Sequence, residues 1–332
     1  HKARSMTRGL LTGVGGPAAI SVMKALPDDA FSLFASDMDP HAAGLYLVAP
    51  ERRFIIPRGD APELSDALLA ICKSEAIDVL IPTVDSELEP VARERSRFEQ
   101  IGTRVLLPTL DALEICLDKL RLYEEAKSVV PVPTTIAVSR DSRPDRYPVI
   151  IKPRRGSGSR GIFLVSNEKD YLAHTDTPGL IAQSYLPGQE YSIDVIADSD
   201  GRSRYAVPRE RMKTDSGVSV TSQTVRDEEL IKHARAIVDH LKLAHVCNVQ
   251  FRRDPLGHPK LLEINPRFPG TMPLTVASGI NMPLLSVQHL LGAPIPDDLR
   301  FEEIAVVRYL QEVVISTEEL HRLVPAEIAR AS

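Results

Sequence analysis

Only three cysteines occur in the 332 residues, Cys72, Cys116 and Cys247. They lie far apart, which excludes a disulfide framework and a zinc cluster and leaves buried, reduced thiols as the expected state. No apolar run approaches the roughly 18–20 residues that a membrane span needs. An excess of basic residues is missing too: 40 Lys and Arg stand against 45 Asp and Glu, for a net charge of −5. That balance argues against nucleic acid as a partner. Internal repeats and low-complexity segments are absent, and so is a Walker loop, because the glycine-rich stretch at Gly156–Gly161 ends in Arg160-Gly161 and not in Gly-Lys-Ser/Thr. Leu10 to Leu26 is mildly apolar after a basic start, but Gly13, Gly15, Gly16 and Pro17 make it a strand, turn and helix rather than a signal peptide. What remains is an ordinary globular composition, 43% hydrophobic and 26% charged. A cytoplasmic protein of two or three subdomains is expected.

The chain changes grammar near Leu107. Before that point strands and helices alternate. "GLLTGV", "SLFASD", "IDVLIPT" and "TRVLLP" read as strands, and "PAAISVMKAL", "APELSDALLAICKSEA" and "SELEPVARERSRFEQIG" as helices. Alternation of this kind implies a parallel, doubly wound sheet, with ligands gathered at the carboxyl ends of its strands. Those ends carry Gly13–Gly16, Ser36-Asp37 and the Thr83–Glu87 segment. A dinucleotide site with Asp37 on a ribose hydroxyl is one reading of the GxGGxA pattern. A tight turn that merely packs is the other.

After a long helical region, "LDALEICLDKLRLYEEAKSVV", hairpin strands take over: "YPVIIKP", "GIFLV", "LIAQSYL", "EYSIDVIAD", "RYAVPRE", "HVCNVQFRR" and "PKLLEINPRF". One helix is clear, Asp227 to Leu243, with Leu230, Ala234, Ile237, Val238 and Leu241 on one face and Thr224 with Asp227 resembling a capping box. The second part is therefore α+β, and the fold class as a whole is α/β plus α+β.

Two stretches of this second part carry chemistry. In "VIIKPRRGSGSRGIFLV" β-type residues flank a cationic, glycine-rich loop on both sides, which makes a hairpin with a flexible tip. In "NVQF" and "LLEINPRF" strand alternation puts Glu263 and Asn265 on one face, with Leu262 and Ile264 on the other. Asn248, Gln250 and Arg252 share a face of the preceding strand. A turn centred on Leu256-Gly257 sets Gln250 opposite Glu263. One carboxylate and two amides, all oxygen donors, suit Mg²⁺ that is also held by phosphate oxygens. A solvated polar sheet face is the alternative.

Taken in order, "TGVGGPAAISVMKAL", "DK" at Asp118-Lys119, "VIIKPRRGSGSRGI", "QSYLPGQEYSIDV", "DSGVSVTSQTV" and "NVQF…LLEINPRF" resemble the ATP-grasp superfamily. The likeness is to one half of the carbamoyl phosphate synthetase large subunit and to stand-alone carboxylate–amine ligases. It implies a preceding Rossmann-like domain over 1–107, a small ATP-grasp subdomain with a glycine-rich lid over 108–183, and a large subdomain with the metal site over 184–332. ATP phosphates would meet Lys119 and Lys152. The loop of Gly156, Ser157, Gly158, Ser159 and Gly161 would close over them. Gln183 and the backbone of Ser184, Tyr185 and Leu186 would face adenine, and Glu190 the ribose. Gln250, Glu263 and Asn265 would hold Mg²⁺, as two ions replaceable by Mn²⁺. Arg267 would stabilise charge on the transferring phosphoryl group.

Lys213 would reach a γ-phosphate, and Arg209 and Arg211 a substrate carboxylate, unless these three form a solvated charge run. At the first domain's strand ends Thr83, Asp85 and Glu87 would meet the organic substrate, with the two acids attracting an ammonium unless they only cap a helix. The implied reaction joins a small-molecule carboxylate to an amine through an acyl phosphate, with no nucleic acid or membrane partner, in a homodimer. Phosphorylation of bicarbonate or carbamate, nicotinamide-dependent oxidoreduction and non-catalytic ATP binding are the alternatives.

Overall fold

Five short strands, Thr7–Leu11 (β1), Phe31–Asp37 (β2), Arg53–Ile55 (β3), Val79–Ile81 (β4) and Arg104–Val105 (β5), pair in parallel in the order β3-β2-β1-β4-β5. The computed structural model describes residues 6–156, 161–215 and 218–323. β2 and β4 are buried along their whole length, as expected of strands covered on both faces. Segments leaving β1, β2 and β4 bring Thr12, Asp37 and Thr83 to one end of this sheet. No helix of the described residues is long and apolar enough to cross a membrane.

The sheet belongs to the first of two structural units. Besides the residues up to Leu107, this unit takes in Arg267–Leu299 and the described residues from Arg308 onward. The returning segment is stitched to helix Pro17–Ala25 by small contacts. Ser21 Oγ lies 3.2 Å from the Gly270 carbonyl oxygen, and Asn281 Nδ2 donates to the Ala25 carbonyl at 2.9 Å. A Cβ at Gly270 would come within 2.9 Å of Pro17.

The second unit, Pro108–Pro266 with Arg300–Val307, holds two sheets. Thr135–Ala137 (β6), Val149–Pro153 (β7), Phe163–Val165 (β8) and Leu180–Ser184 (β9) run antiparallel in the order β6-β9-β7-β8. Glu190–Ala197 (β10), Ser203–Asp215 (β11), Val218–Thr224 (β12), His245–Arg253 (β13), Pro259–Asn265 (β14) and Ala305–Val307 (β15) form the larger sheet, ordered β14-β13-β10-β11-β12-β15. One face is apolar. Ile193, Val195, Val249, Phe251, Leu261 and Ile264 pack there against Leu230, Ala234, Ile237 and Val238 of helix Glu228–Leu241. Each such Val, Leu, Ile or Phe side chain contributes about 1.5–3 kcal/mol when fully withdrawn from water.

Several local expectations change on contact with the structure. The long helical region breaks in two, Leu110–Leu117 and Lys119–Ala126, because Asp118 caps the second helix by accepting from the amides of Leu120 and Arg121 at 3.1 Å each. The expected capping box does not form. Asp227 alone caps helix Glu228–Leu241, while the Thr224 hydroxyl donates to the Glu302 carbonyl at 2.7 Å. Leu262 leaves the core face, since the β13–β14 register shifts between Gln250 and Phe251 and sets Leu261 opposite Phe251. Strands β3, β6, β12 and β15 had no counterpart in the periodicity. Three of them are only three residues long.

Candidate functional site

The second face of the larger sheet is polar. Gln250 pairs directly with Glu263 and Asn248 with Asn265 across β13 and β14. Across β10 the same rows continue through Ser192 opposite Gln250 and Asp194 opposite Asn248. Glu263, Asn265 and Gln250 thus project from adjacent register positions on one surface, and their donor set is oxygen only. Among the described residues no group of three or more His, Cys, Asp or Glu side chains could hold a metal ion. The arrangement therefore offers a single carboxylate with two amides. A set of such low charge fits Mg²⁺ that arrives with phosphate oxygens better than a resident zinc or calcium ion.

Lys152 stands at the end of β7. It is 8% exposed, and its ammonium donates to Gln183 Oε1 at 3.0 Å. Gln183 in turn donates through Nε2 to Thr135 Oγ1 at 3.0 Å, so the orientation of its amide is set from behind. Burial pulls the Lys152 ammonium down to about 8. Glu263 and Glu190 act in the opposite direction, while Lys119 lowers it further. Those couplings put Glu263 and Glu190 of the large sheet and Lys119 of the helix that Asp118 caps within electrostatic reach of Lys152. Lys119 begins its helix, with its backbone amide donating to the Arg154 carbonyl at 3.0 Å and its Nζ to the Gly156 carbonyl at 2.7 Å. Asp118 both caps that helix and binds Arg154 Nε at 2.7 Å. Neither Asp118 nor Arg154 carries a periodicity signal that would have marked this role.

Beside Lys119 and Gln183 lies a small cleft whose other walls are Leu122, Tyr123, Val132, Leu261 and Leu262. Leu262 reaches it only because of the register shift in the hairpin. The amides of Ser184 and Tyr185 are engaged by the carbonyls of Thr134 and Pro148 at 2.9 and 3.2 Å. Glu190 forms an ion pair with Arg211. Gly156 and Gly161 both adopt positive φ, whereas Ser157, Gly158 and Ser159 lie outside the described residues.

One expected ligand of the substrate carboxylate has other work. Arg209, 1% exposed, forks onto the fully buried Asp194 through Nη2 and Nε at 2.7 and 3.1 Å, so its guanidinium is held inside the sheet and not offered to a substrate. Lys213 is exposed on β11, with the register shifting on both sides of it.

At the strand ends of the first unit, Asp85 begins a helix and accepts from Arg267 Nε and Nη2 at 2.6 and 3.3 Å. Its carboxylate thus faces a cation of the protein itself. Glu87 is 4% exposed and takes the Thr12 hydroxyl, while Thr83 donates to the Thr12 carbonyl at 2.8 Å. Burial drives the Glu87 carboxyl up to about 7; the Thr12 hydroxyl opposes this and the nearby Asp37 adds to it. Asp37 accepts from the Gly15 amide at 2.8 Å and the Asp39 amide at 2.9 Å. The glycine turn packs under the next segment: a Cβ on Gly44 would fall 2.3 Å from the Val14 carbonyl. Both observations speak for the packing reading of GxGG, since Asp37 is engaged by its own loops.

A family model described as "ATP-grasp in the biosynthetic pathway with Ter operon" matches residues 176–313, and one described as "PylC-like, N-terminal domain" matches 11–106. The chain carries an ATP-grasp domain and, ahead of it, a PylC-like N-terminal domain. It is 26% identical over 228 residues to the arginine-specific large chain of carbamoyl phosphate synthase from Halalkalibacterium halodurans, covering 60% of this chain and 21% of that one. With the 3-methyl-D-ornithine–L-lysine ligase of Methanosarcina acetivorans it shares 26% identity over 223 residues, 65% of this chain and 57% of the ligase. The chain therefore spans about a fifth of the first relative and over half of the second. Among solved structures, N5-carboxyaminoimidazole synthetase from Staphylococcus aureus complexed with ADP superposes with a TM-score of 0.73 at 17% identity, over 91% of this chain and 81% of that one. At that identity the likeness is one of fold.

Two outcomes follow from the charged groups. Between the ordinary carboxylate range and about 7 the folded protein holds a proton on Glu87 that the unfolded chain has lost. Stability should therefore fall as pH rises across that window, by on the order of 3 kcal/mol, and level off above it. Calorimetric melting of Glu87→Gln should lack this decline; an unchanged pH profile in the variant would assign the decline to other groups. Lys152 is cationic below about 8, so affinity for ATP should weaken as pH rises through that value, and binding at pH 8 should take up to about half a proton from solution. Lys152→Ala should weaken ATP roughly ten- to a hundredfold, the scale of one charge-assisted hydrogen bond, and AMP much less. Isothermal calorimetry of both nucleotides on one preparation checks this, with equal losses pointing to a purely structural lysine.

Proposed function

We propose that the chain is an ADP-forming carboxylate–amine ligase. The observation that carries this reading is the coupling of the buried Lys152 to Glu263, Glu190 and Lys119, beside a register that puts Gln250 opposite Glu263. Cations that neutralise phosphate and a low-charge oxygen set are what phosphoryl transfer requires, since catalysis there is positioning and charge stabilisation.

In this reading the small cleft whose walls include Tyr123, Leu261 and Leu262 takes the adenine. With the Ser184 and Tyr185 amides already bonded, the Leu186 amide is the one left to meet its edge. Glu190 accepts from the ribose hydroxyls, exchanging its bond to Arg211 for them. Lys119 and Lys152 hold the phosphates as point charges. Gln250, Glu263 and Asn265 would hold Mg²⁺, which when bound would neutralise phosphate charge. A carboxylate oxygen of the substrate attacks the γ-phosphorus and ADP leaves, giving an acyl phosphate. The amine nitrogen then attacks the acyl carbon; its C–N bond forms as the C–O bond to phosphate breaks, and the nitrogen gives up a proton. Arg267 keeps the role that the resemblance implies for it, stabilising charge on the acyl phosphate, and Asp85 of its own unit orients its guanidinium.

Similarity to carbamoyl phosphate synthase, with a glutamine at position 250, supports a second reading in which bicarbonate or carbamate is the phosphoryl acceptor. One assay separates the two. ADP release from Mg-ATP should require a carboxylate and an amine together, across a panel of amino acids and small carboxylates tested singly and in pairs. Release that needs only bicarbonate or ammonia selects the second reading, and indifference to every acceptor excludes both. Glu263→Gln should keep nucleotide affinity within about tenfold while turnover is lost, because the only carboxylate of the metal set is gone. Turnover like that of the wild type at ordinary Mg²⁺ would remove Glu263 from the metal set.

A further inference from the structure

An amide that binds a cation has a problem a carboxylate does not. One of its two ends is an oxygen, the other an NH₂ group, and a half-turn of the side chain replaces attraction by repulsion. Gln250 faces this problem, and the residues behind it settle the choice.

Arg209 carries donors only, and the carboxylate of Asp194 acceptors only. Asp194 Oδ1 receives both Arg209 Nη2 at 2.7 Å and Asn248 Nδ2 at 2.8 Å. Asn248 must therefore turn its own oxygen the other way, and Gln250 Nε2 donates to that oxygen at 3.5 Å. With its nitrogen committed, Gln250 has its Oε1 left for the side on which Glu263 stands opposite. Arg209, Asp194 and Asn248 are 1%, 0% and 2% exposed, so water does not compete for the bonds that fix the Asn248 amide. The polarity is carried from a guanidinium buried in the sheet to the amide at its surface.

We propose that Asn248, set by the Asp194–Arg209 pair, is a positioning residue that orients the Gln250 amide with its oxygen toward the divalent cation. This rests on the reading that Gln250, Glu263 and Asn265 hold that cation. It makes a prediction no merely structural role makes: the need for Asn248 should vanish when the ligand at 250 has two equivalent oxygens.

The test is a titration of Mn²⁺ in the presence of saturating ADP, followed by the electron paramagnetic resonance signal of free Mn²⁺. Four proteins are compared: wild type, Asn248→Leu, Gln250→Glu, and the two substitutions combined. Leucine keeps the shape of asparagine and removes both polar atoms. Asn248→Leu should raise the Mn²⁺ dissociation constant about tenfold in the wild-type background, the usual scale for loss of an outer-shell partner. In the Gln250→Glu background it should change the constant less than about twofold, or improve binding. Equal losses in both backgrounds, or none in either, would overturn the orienting role while leaving the metal set intact. A wild-type protein that takes up no Mn²⁺ with ADP would overturn the metal set and the orienting role together. If melting shows that Asn248→Leu does not fold, Asn248→Ser, whose hydroxyl is too short to span to Gln250, is judged by the same comparison.

Discussion

The register of the β13–β14 hairpin is the constraint on which the rest of the site depends. Because side chains alternate along a strand, a slip of one residue would send Gln250 and Asn248 to the helix-packed side and bring Val249 and Phe251 to the polar one. Two features hold it. The turn is tied by Asp254, whose Oδ1 accepts from the Leu256 and His258 amides at 2.9 Å each, with Gly257 supplying a positive φ. The core holds the other end, where Val249, Phe251, Leu261 and Ile264 are all buried. The register shift between them frees Leu262 from alternation and gives the cleft its wall.

Polar order on the opposite face is bought with a buried ion pair. Asp194 and Arg209 lie at the centre of the sheet, where each charge alone would be costly to desolvate, and removing one partner of such a pair typically costs about 3–5 kcal/mol. Such a pair is weak evidence for stability, because its desolvation can offset its attraction. Here the pair sits one hydrogen bond from Asn248 and two from Gln250, so its charge fixes donor and acceptor roles that neutral residues would leave open.

A similar economy governs the small sheet. Lys152 is buried enough to lose much of its affinity for a proton, yet Gln183 and Thr135 aim it along a single direction. A lysine held in this way is poised to gain most when a polyphosphate arrives, since the incoming charge restores the solvation that burial removed. Asp118 contributes from the side by starting the helix that carries Lys119 and by binding Arg154 at the end of β7.

Much of this was legible in the order of residues. Alternation of strands and helices announced the parallel sheet, and period-two spacing put Glu263 with Asn265 and Gln250 with Asn248, because side-chain direction in a strand is a local property. The hairpin that carries Lys152 was visible in the β-type residues on either side of its loop, whereas a role for Lys152 came only from the resemblance. Contacts between distant segments were not. That Arg209 lies inside the sheet on Asp194 and that Leu262 leaves the core are decided by the neighbouring strand, and that Asp85 holds Arg267 and Glu87 turns to Thr12 by partners far off in the chain. Whether a charged side chain meets water, substrate or another charge depends on what folds over it, and no spacing along one strand encodes that. The sequence determined which residues face the same way; the tertiary structure decided which of them are left facing a ligand.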